Sequence, residues 1–464
     1  MTVKKEMKQR TAALHNLGCK VNAYETESMQ QMLEQAGYKI VDFADIADVY
    51  IINTCSVTNM ADRKSRQMIH RARGKNEQAV IVAAGCYVQT AGEEIKKDLS
   101  IDILIGNNKK AELIPLLDQY FEAHEHTVDV IDINDGVQPY EEMILSKTGE
   151  HTRAFMKVQD GCNQFCSYCI IPYARGRVRS RDPKSVYEEA RTLAENGYRE
   201  IVLTGIHLSS YGVGEAFGLL DLIRMVHAIP GIERIRLGSL EPRIITEDFV
   251  EQLGKLPKIC PHFHLSLQSG CDETLVRMNR KYTTEEYARS CELLRGAFEH
   301  PAITTDVIVG FPGETPEEFA RTKQFLERIG FYEMHVFQYS KRHGTRAERM
   351  PDQIPETVKK ERSVELLALE KAQSKEFREY YVGKTQTVLF EESVQIGEKR
   401  YMVGFTPEYV RLAMELTPDM DEAAYTNRLF SGVVGEALTE ELYLLCYFSH
   451  SSQHSLRATC QKHV

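Results

Sequence analysis

The chain has 464 residues, of which 42% are apolar and 27% charged, and its net charge at pH 7 is −10. This length allows roughly two to four domains, and the composition is typical of a globular protein rather than a disordered or fibrous one. No apolar run approaches the roughly 18 residues of a membrane helix, and the basic N-terminus leads into no signal peptide. We therefore expect a cytoplasmic protein with no membrane partner.

Residues 10–123 alternate short apolar runs with amphipathic stretches, which predicts an open parallel α/β domain. The predicted strands at 13–17, 49–53 and 80–84 lead directly to Cys19, Cys55 and Cys86. Ligands gather at the carboxyl ends of parallel strands, so these thiols are expected to converge. A free cysteine is often only a small buried hydrophobe, but three at equivalent strand ends favour a shared metal site.

Residues 124–150 are acidic and poorly patterned, and are interpreted as a linker. Residues 148–378 contain six strand-and-helix units, with strands predicted at 155–158, 200–205, 234–238, 262–267, 304–309 and 333–339. This number of units predicts a partial (β/α)6 barrel, whose active site would lie at the carboxyl ends of the strands.

The C-terminal part begins after a charged helix predicted at 357–380. Short strands and turns at 381–439 predict a small OB-like β-barrel, and residues 440–464 are interpreted as a tail, with a disordered end after His450. Nine acidic and five basic residues between Tyr381 and Thr439 make the predicted barrel acidic.

A cysteine-rich loop, 160-DGCNQFCSYCIIPYARGRVRSRD-182, follows the first predicted strand of the central barrel. Cys162, Cys166 and Cys169 have the spacing C-x3-C-x2-C, with Tyr168 before the last cysteine. A structural zinc site would need a fourth ligand, whereas three thiolates suit a [4Fe–4S] cluster with one open iron. The spacing is typical of radical S-adenosylmethionine enzymes, and zinc binding is the alternative.

The loop occurs together with 17-LGCKVNAYETE-27, 53-NTCSVTN-59, 85-GCYVQ-89 and 306-DVIVGFPGETPEEF-319. With these motifs, the sequence resembles the methylthiotransferase family over residues 10–440. The resemblance implies an N-terminal three-cysteine domain, a radical S-adenosylmethionine barrel and a C-terminal TRAM domain. It implies an auxiliary [4Fe–4S] cluster on Cys19, Cys55 and Cys86. A second, catalytic cluster would be held by Cys162, Cys166 and Cys169.

The implied cofactor is S-adenosyl-L-methionine, which supplies both the methyl group and the radical that removes hydrogen from an unactivated carbon. Expected cofactor contacts are the residues at or near the strand ends of the barrel: Tyr168, Gly205, Glu241, Gln268 and Gly310. The resemblance also implies an electron donor, such as flavodoxin or ferredoxin, and a sulfur donor.

The motif LGCKVN at 17–22 indicates the branch of the family. Members that act on isopentenyladenosine in tRNA have a GCQMN-type motif at this position, and members that act on a ribosomal protein have LGCPKN. The sequence is most similar to the branch that acts on N6-threonylcarbamoyladenosine in tRNA, next to the anticodon. The other two substrates stay open as alternatives, as does a non-catalytic iron–sulfur or zinc RNA-binding module.

A tRNA partner requires basic surface, because phosphate contacts supply much of the affinity. Arg175, Arg177, Arg179 and Arg181 occupy alternate positions, and in an extended segment they would project to one side. We expect them to contact the substrate, although an ordinary solvated loop is the alternative. Further basic segments lie at 63–75, 277–281 and 341–346.

Overall fold

The computed structural model describes residues 9–148 and 152–446, and its N-terminal part is a parallel sheet with helices on both faces. The strands are β1 (Thr11–Asn16), β2 (Lys39–Ile40), β3 (Val49–Thr54), β4 (Val80–Gly85), β5 (Ile103–Ile105) and β6 (Thr127–Asp129). The helices are α1 (Lys20–Gln35), α2 (Asn59–Lys75), α3 (Cys86–Thr90) and α4 (Leu113–Ala123).

The spatial order of this sheet is β2-β1-β3-β4-β5-β6, and all five pairings are parallel. Alternate residues of the central strands face opposite hydrophobic layers, one with α1 and α4 and one with α2 and α3. Strands buried on both faces are continuously apolar, which explains the run VYII in β3. The predicted open parallel α/β domain is confirmed.

The central part is an open barrel built on six parallel strands. Its strands are β7 (Ala154–Asp160), the short antiparallel β8 (Arg179–Ser180), β9 (Glu200–Gly205), β10 (Arg234–Leu237), β11 (His262–His264), β12 (Ala302–Val309) and β13 (Glu333–Gln338). Its helices are α5 (Ile171–Arg175), α6 (Pro183–Glu195), α7 (Leu219–His227), α8 (Glu247–Gly254), α9 (Asp272–Arg277), α10 (Thr284–Ala297), α11 (Pro316–Ile329) and α12 (Glu356–Glu379).

Two sheets, β10-β9-β7-β8 and β11-β12-β13, are joined by isolated parallel bridges such as Leu240 with Leu265. The apolar residues on one face of each strand pack against the surrounding helices in a single core. The opposite residues therefore face the lumen, because successive side chains of a strand alternate between its two faces. This is the predicted partial (β/α)6 barrel.

The C-terminal part is a closed five-stranded barrel in the order β14-β15-β16-β18-β17. The strands are β14 (Thr385–Ile396), β15 (Lys399–Phe405), β16 (Arg411–Leu416), β17 (Leu429–Ala437) and β18 (Tyr443–Cys446). The predicted OB-like barrel is confirmed. The barrel extends beyond its predicted end at Thr439, because β18 pairs with both β16 and β17 and belongs to the barrel rather than to a tail. The predicted disorder after His450 lies outside the described residues.

The interpretation of 124–150 as a plain linker is wrong in two respects. Residues 127–129 form β6, which pairs with β5 and extends the first sheet. Further along, Met143 and Leu145 are buried in the same hydrophobic layer as α1. Two buried apolar side chains are too few to form a recognisable period, so the sequence alone does not indicate this packing.

The C-terminal barrel docks on the amino-terminal ends of the central strands. Arg234 donates to the carbonyl oxygen of Phe405 (2.8 Å), and Arg236 donates to that of Pro407 (2.8 Å). Tyr409 stacks on His262 with 4.8 Å between ring centroids. Phe405 and Tyr409 thus belong to a contact between domains rather than to a free RNA-stacking surface.

No helix in residues 9–148 or 152–446 combines the length and the apolar composition that crossing a membrane requires.

Candidate functional site

Cys19, Cys55 and Cys86 lie at one edge of the first sheet. Cys19 caps α1 just beyond β1, Cys55 follows β3, and Cys86 opens α3 directly after β4. These three strands are neighbours, and a Cβ atom placed on Gly18 would lie only 3.0 Å from Sγ of Cys55. The structure therefore brings the three thiols to a common edge, while their binding of a metal stays a prediction.

An asparagine amide holds the loops of this triad together. Nδ2 of Asn22 donates to the carbonyl oxygens of Leu17 (2.7 Å) and Thr54 (3.0 Å), which belong to the segments before Cys19 and Cys55. Cys55 and Cys86 are buried, whereas Cys19 is exposed. Burial raises the pKa of Cys55 to about 11, so its thiol stays protonated at neutral pH until a metal displaces the proton.

The second cysteine triad lies on the loop that follows β7. The first turn of this loop requires glycine at position 161. The φ angle of Gly161 is +71°, and a Cβ atom there would lie 1.8 Å from the carbonyl oxygen of Arg177. The backbone N–H of Cys169 donates to the carbonyl oxygen of Cys166 (3.0 Å). Ser167 anchors the loop, because its hydroxyl donates to the carbonyl oxygen of Arg277 (2.8 Å). Three cysteines are thus held on one compact loop at the carboxyl end of a barrel strand.

Both triads have hydrogen-bond donors near sulfur. Nη1 of Arg280 lies 3.3 Å from Sγ of Cys166, and Nδ2 of Asn107 lies 3.5 Å from Sγ of Cys86. Such hydrogen bonds to ligand sulfur are one of the ways in which proteins set the properties of iron–sulfur clusters. Arg280 and Asn107 were not singled out from the sequence, because no local pattern reveals which sulfur a distant donor will reach.

The donor set of each triad suits a cluster better than a single ion. A tetrahedral zinc with sulfurs at about 2.3 Å needs ligand sulfurs about 3.8 Å apart. Within the described residues, only His264, Asp306 and His335 bring three potential ligand atoms within 4.8 Å of one another. Neither cysteine triad is that compact, so neither forms a ready-made site for one zinc ion. Three thiols suit a [4Fe–4S] cluster in which one iron stays open.

Glu241 is the predicted cofactor contact nearest to the cysteine loop. It is buried, and its carboxylate accepts from Nε2 of Gln164 (3.3 Å) within that loop and lies 3.5 Å from Nε2 of His207. Burial alone would raise the pKa of Glu241, but His207, Arg280 and Arg243 hold it below its usual range. An anionic carboxylate is thus available beside Cys162 to accept a hydrogen bond or to pair with a cationic group.

The other four predicted cofactor contacts take part in the backbone and packing contacts of the barrel. The backbone N–H of Gly310 donates to the carboxylate of Glu314 (3.2 Å), and a Cβ atom there would lie 2.3 Å from Cγ of Lys359. Gln268 has φ +76° and bridges β12 through its backbone. Gly205 ends β9, and Tyr168 packs edge-to-face on Phe311. Cofactor binding by these four residues stays a prediction.

The predicted row of four substrate-facing arginines is wrong. Residues 171–175 form α5, so the segment is not continuously extended and the alternation of sides is lost. Arg175 and Arg181 are fully buried and Arg179 is nearly so, whereas Arg177 is exposed and lies over the ring of Phe165 at 4.5 Å. Of the four side chains, only that of Arg177 is free to meet a large substrate.

Arg175 belongs to a buried ionic network that joins the first sheet to the central barrel. Its Nη1 donates to Glu25 (2.8 Å) and lies 3.2 Å from a carboxylate oxygen of Asp160, while its Nη2 donates to Asn22 (2.6 Å). Lys157 bridges the same two carboxylates at 2.7 and 2.6 Å. Burial alone would raise the pKa of Glu25, but the surrounding cations hold it well below its usual range.

This network lies between the two triads. Asp160 comes two residues before Cys162, and Asn22 comes three residues after Cys19. Oδ1 of Asn22, which accepts from Arg175, also lies 3.9 Å from Sγ of Cys19. The buried charges therefore fix one cysteine triad relative to the other.

Arg181 and residues of two other basic segments also contact groups within the protein instead of facing solvent. Nη2 of Arg181 lies 2.7 Å from the carboxylate of buried Glu189. Arg342 is nearly buried and pairs with Asp62 at 2.7 Å, which ties the segment after β13 to α2. Arg280 is directed at Cys166. In contrast, Arg63, Lys64 and Arg71 on α2 are exposed and form no ion pair in the described chain.

The lumen of the barrel carries a polar cluster that the sequence analysis did not single out. Nε2 of His264 lies 3.3 Å from the carboxylate of Asp306, and the rings of His264 and His335 stack with 5.7 Å between centroids. The only local signal was the alternation of polar residues in otherwise apolar strands.

Two family models match the chain. Residues 156–326 match the radical SAM superfamily, and residues 11–106 match Uncharacterized protein family UPF0004. The first match covers β7 to α11 and the cysteine loop, and the second covers the strands that carry the N-terminal triad.

Curated relatives are similar over most of the chain. The threonylcarbamoyladenosine tRNA methylthiotransferase MtaB of Bacillus subtilis is 44% identical over 88% of this chain and 91% of its own length. The protein of that name from Aquifex aeolicus is 40% identical, covering 84% and 95%. A tRNA-2-methylthio-N(6)-dimethylallyladenosine synthase of Acetivibrio thermocellus is 37% identical, covering 84% and 83%.

Among solved structures, the radical S-adenosylmethionine methyltransferase TsrM from Kitasatospora setae, with cobalamin and a [4Fe–4S] cluster bound, is similar in fold. Its TM-score is 0.53 at 16% identity, with 71% of this chain and 75% of that chain covered. At this identity the likeness concerns the fold alone.

Proposed function

The chain belongs to the family of radical S-adenosylmethionine tRNA methylthiotransferases, and we propose that it transfers a methylthio group to C2 of N6-threonylcarbamoyladenosine next to the anticodon. The observation that carries the proposal is the pair of cysteine triads tied together by Glu25, Asp160 and Arg175. One triad follows a barrel strand and the other lies at the edge of the first sheet. A reaction that combines radical formation with sulfur insertion needs two such centres at a fixed separation.

Cys162, Cys166 and Cys169 would hold the catalytic [4Fe–4S] cluster, and Cys19, Cys55 and Cys86 the auxiliary one. When bound, the two clusters and S-adenosyl-L-methionine supply the radical, the sulfur and the methyl group. The roles of the chain are to position these groups and to keep water away from them. Arg280 donates to Cys166, Glu241 presents a carboxylate beside the catalytic loop, and Tyr168 packs behind that loop.

The strand ends that lie nearest to the cysteine loop would complete the pocket for S-adenosyl-L-methionine. Gly205 lies against Gln159, leaving no room for a side chain there. Gln268 and Gly310 present backbone at the ends of neighbouring strands. These positions line the carboxyl face of the barrel, where ligands of (β/α) barrels bind.

The tRNA would be held across the exposed cationic face of α2 and by Arg177. This helix starts four residues after Cys55, so Arg63, Lys64 and Arg71 extend away from the N-terminal triad. Arg177 follows α5, and its guanidinium lies over the ring of Phe165 in the cysteine loop. Unpaired cations on both sides of the site suit a polyanion that must reach it with one extruded base.

The proposed partners follow from the chemistry. A radical cluster must be reduced before each cleavage, which calls for an electron donor such as flavodoxin or ferredoxin. The inserted sulfur must be replaced, which calls for a sulfur donor. Both partners, together with tRNA, are available in the cytoplasm, where we propose that the protein acts.

Analysis of tRNA nucleosides from a deletion strain of the source organism tests this function. Liquid chromatography with mass spectrometry should find 2-methylthio-N6-threonylcarbamoyladenosine lost and its unmethylthiolated precursor accumulated. The wild-type gene should restore the product, and a gene with Cys162 changed to Ala should not. Loss of 2-methylthio-isopentenyladenosine instead would contradict the proposed substrate.

A further inference from the structure

Residues 340–347, which we call the strap, follow β13 and contact the segments that carry both cysteine triads. The sequence analysis grouped 341–346 with the basic segments that could meet tRNA. In the structure, however, Arg342, Thr345 and Ala347 are buried, and Arg342 is only 6% exposed. The strap is therefore packed within the protein, and its contacts there determine what it does.

Arg342 attaches one end of the strap to the segment around Cys55. Its Nη2 donates to Oγ of Ser56 and to the carboxylate of Asp62, both at 2.7 Å. Its Nη1 donates to Oδ1 of Asn59 at 2.7 Å. Because Ser56 directly follows Cys55, one guanidinium from the central barrel holds both the residue beside this cysteine and the start of α2.

A chain of hydroxyl groups extends this attachment to Cys86. The hydroxyl of Thr90 donates to the carbonyl oxygen of Cys86 at 2.9 Å, so it accepts from the hydroxyl of Ser56 at 3.0 Å. Ser56 in turn accepts from Arg342. Hydrogen bonds thus connect the strap to the segments of two of the three cysteines in the N-terminal triad.

The other end of the strap is attached to the cysteine loop that follows β7. The backbone N–H of Ala347 donates to the carbonyl oxygen of Ser167 at 2.8 Å. Ser167 lies between Cys166 and Cys169. Ala347 is completely buried, in a hydrophobic cluster against which Tyr168 packs. This end of the strap therefore supports the loop from behind.

The two attachment points are close together along the chain. Five residues separate Arg342 from Ala347, and five residues span at most about 18 Å. The N–H and the hydroxyl of Thr345 both donate to the carbonyl oxygen of Arg342, at 3.1 and 2.7 Å, which forms a turn and shortens this span. A short, turned and buried segment is a stiff connection between the two triads.

We propose that the strap sets the position of the N-terminal triad relative to the cysteine loop, and that Arg342 is the positioning residue. The inference rests on the function proposed above, in which the carbon that loses hydrogen must meet the inserted sulfur. The buried network of Arg175 restrains the Cys19 side through Asn22, and the strap restrains the side of Cys55 and Cys86. Attachments on two sides fix the orientation of the triad as well as its distance.

The test measures how well the two half-reactions are coupled in Arg342→Met, after anaerobic reconstitution and with saturating tRNA. Methylthiolated nucleoside formed per 5′-deoxyadenosine should fall about 10- to 100-fold, because a displacement of about 1 Å is enough to cost this much. Iron content, the rate of S-adenosylmethionine cleavage and the KM for tRNA should stay at their wild-type values. A defect in folding would instead lower iron content and cleavage together.

Hydrogen exchange of the reconstituted protein without tRNA gives a second readout that does not depend on activity. Mass spectrometry should find the backbone amides of residues 55–62 exchanging about 10- to 100-fold faster in Arg342→Met, as expected when hydrogen bonds to a buried charged group are lost. The amides of the C-terminal barrel should exchange as in the wild type.

Further variants separate the geometry of the guanidinium from its charge. Arg342→Lys keeps the charge but lacks the planar fork, so its coupling should lie between those of Arg342→Met and the wild type. Asp62→Asn should lower the coupling in the same direction, and should add little to Arg342→Met because the two residues share one contact. Arg349→Met is the matched control, since Arg349 is exposed and forms no ion pair in the described chain, and it should leave the coupling unchanged.

Two results would overturn the inference. Wild-type coupling in Arg342→Met, despite faster exchange at 55–62, would reduce the strap to a contact without influence on the reaction. A defect that appears only as a raised KM for tRNA would assign Arg342 to RNA binding. If Arg342→Met does not retain its iron, Arg342→Lys and Asp62→Asn decide between the same outcomes. Failure of the proposed function is distinct from these results, because the wild type would then form no methylthiolated nucleoside.

Discussion

The two cysteine triads reach comparable positions by different routes. Cys162, Cys166 and Cys169 share one loop, which is held by a hydrogen bond between Cys169 and Cys166 and by the contact of Ser167 with Arg277. Cys19, Cys55 and Cys86 come from three strand ends and meet only when the first sheet is complete. The triad on the loop after β7, the local triad, can therefore be predicted from its spacing. The N-terminal triad, the distant triad, depends on the stability of a whole domain and of its contact with the barrel.

The largest expected effect comes from removing the local triad. Replacing Cys162, Cys166 and Cys169 with Ala should lower the iron content from about eight to about four per chain after anaerobic reconstitution. It should also abolish cleavage of S-adenosylmethionine. Iron and sulfide analysis and detection of 5′-deoxyadenosine measure the two effects, and a variant that keeps all its iron would show that the triad is assigned wrongly.

Removal of the distant triad should uncouple the reaction rather than stop it. Replacing Cys19, Cys55 and Cys86 with Ala should also lose about half of the iron, but S-adenosylmethionine cleavage should continue because the barrel loop is intact. No methylthiolated nucleoside should form. Loss of both cleavage and product, in a variant that retains about four irons and its folded circular-dichroism spectrum, would contradict a division of roles between the triads.

A smaller effect distinguishes buried Arg175 from exposed Arg177, both of which follow the loop with Cys162, Cys166 and Cys169. Arg175→Met should destabilise the protein by about 3–5 kcal/mol, because it leaves Glu25 and Asp160 short of a buried cation. Arg177→Met is the matched control and should change stability by no more than about 0.5 kcal/mol. Urea unfolding of the metal-free variants measures both, and similar midpoints for the two would contradict the ionic network.

The sequence predicts the strand positions and the cysteine edge well because both depend on local patterns. Strands such as β3 are apolar throughout, and the cysteines follow them directly. The burial of Arg175 and Arg181 could not be predicted from local patterns. Their carboxylate partners Glu25 and Glu189 lie on other elements, and the alternation of arginines looks the same whether the side chains are buried or exposed.

The lumen residues were missed for a related reason. His264, Asp306 and His335 lie on three different strands, and each is unremarkable beside its own neighbours. Only the pairing of β12 with β11 and β13 brings the three side chains together. Contacts between distant elements therefore cannot be predicted from local patterns, whereas the cysteine loop can be predicted from its spacing.

The most direct measurement is the conversion of defined tRNAs by the purified, reconstituted enzyme with S-adenosylmethionine and a reductant. Mass spectrometry of the digested nucleosides should find threonylcarbamoyladenosine converted to its 2-methylthio form, with unmodified adenosine and isopentenyladenosine nearly untouched. Equal turnover of the isopentenyl substrate would contradict the assigned specificity and leave the radical chemistry standing. Absence of methylthiolation on every tRNA, despite two full clusters and active cofactor cleavage, would contradict the central claim itself.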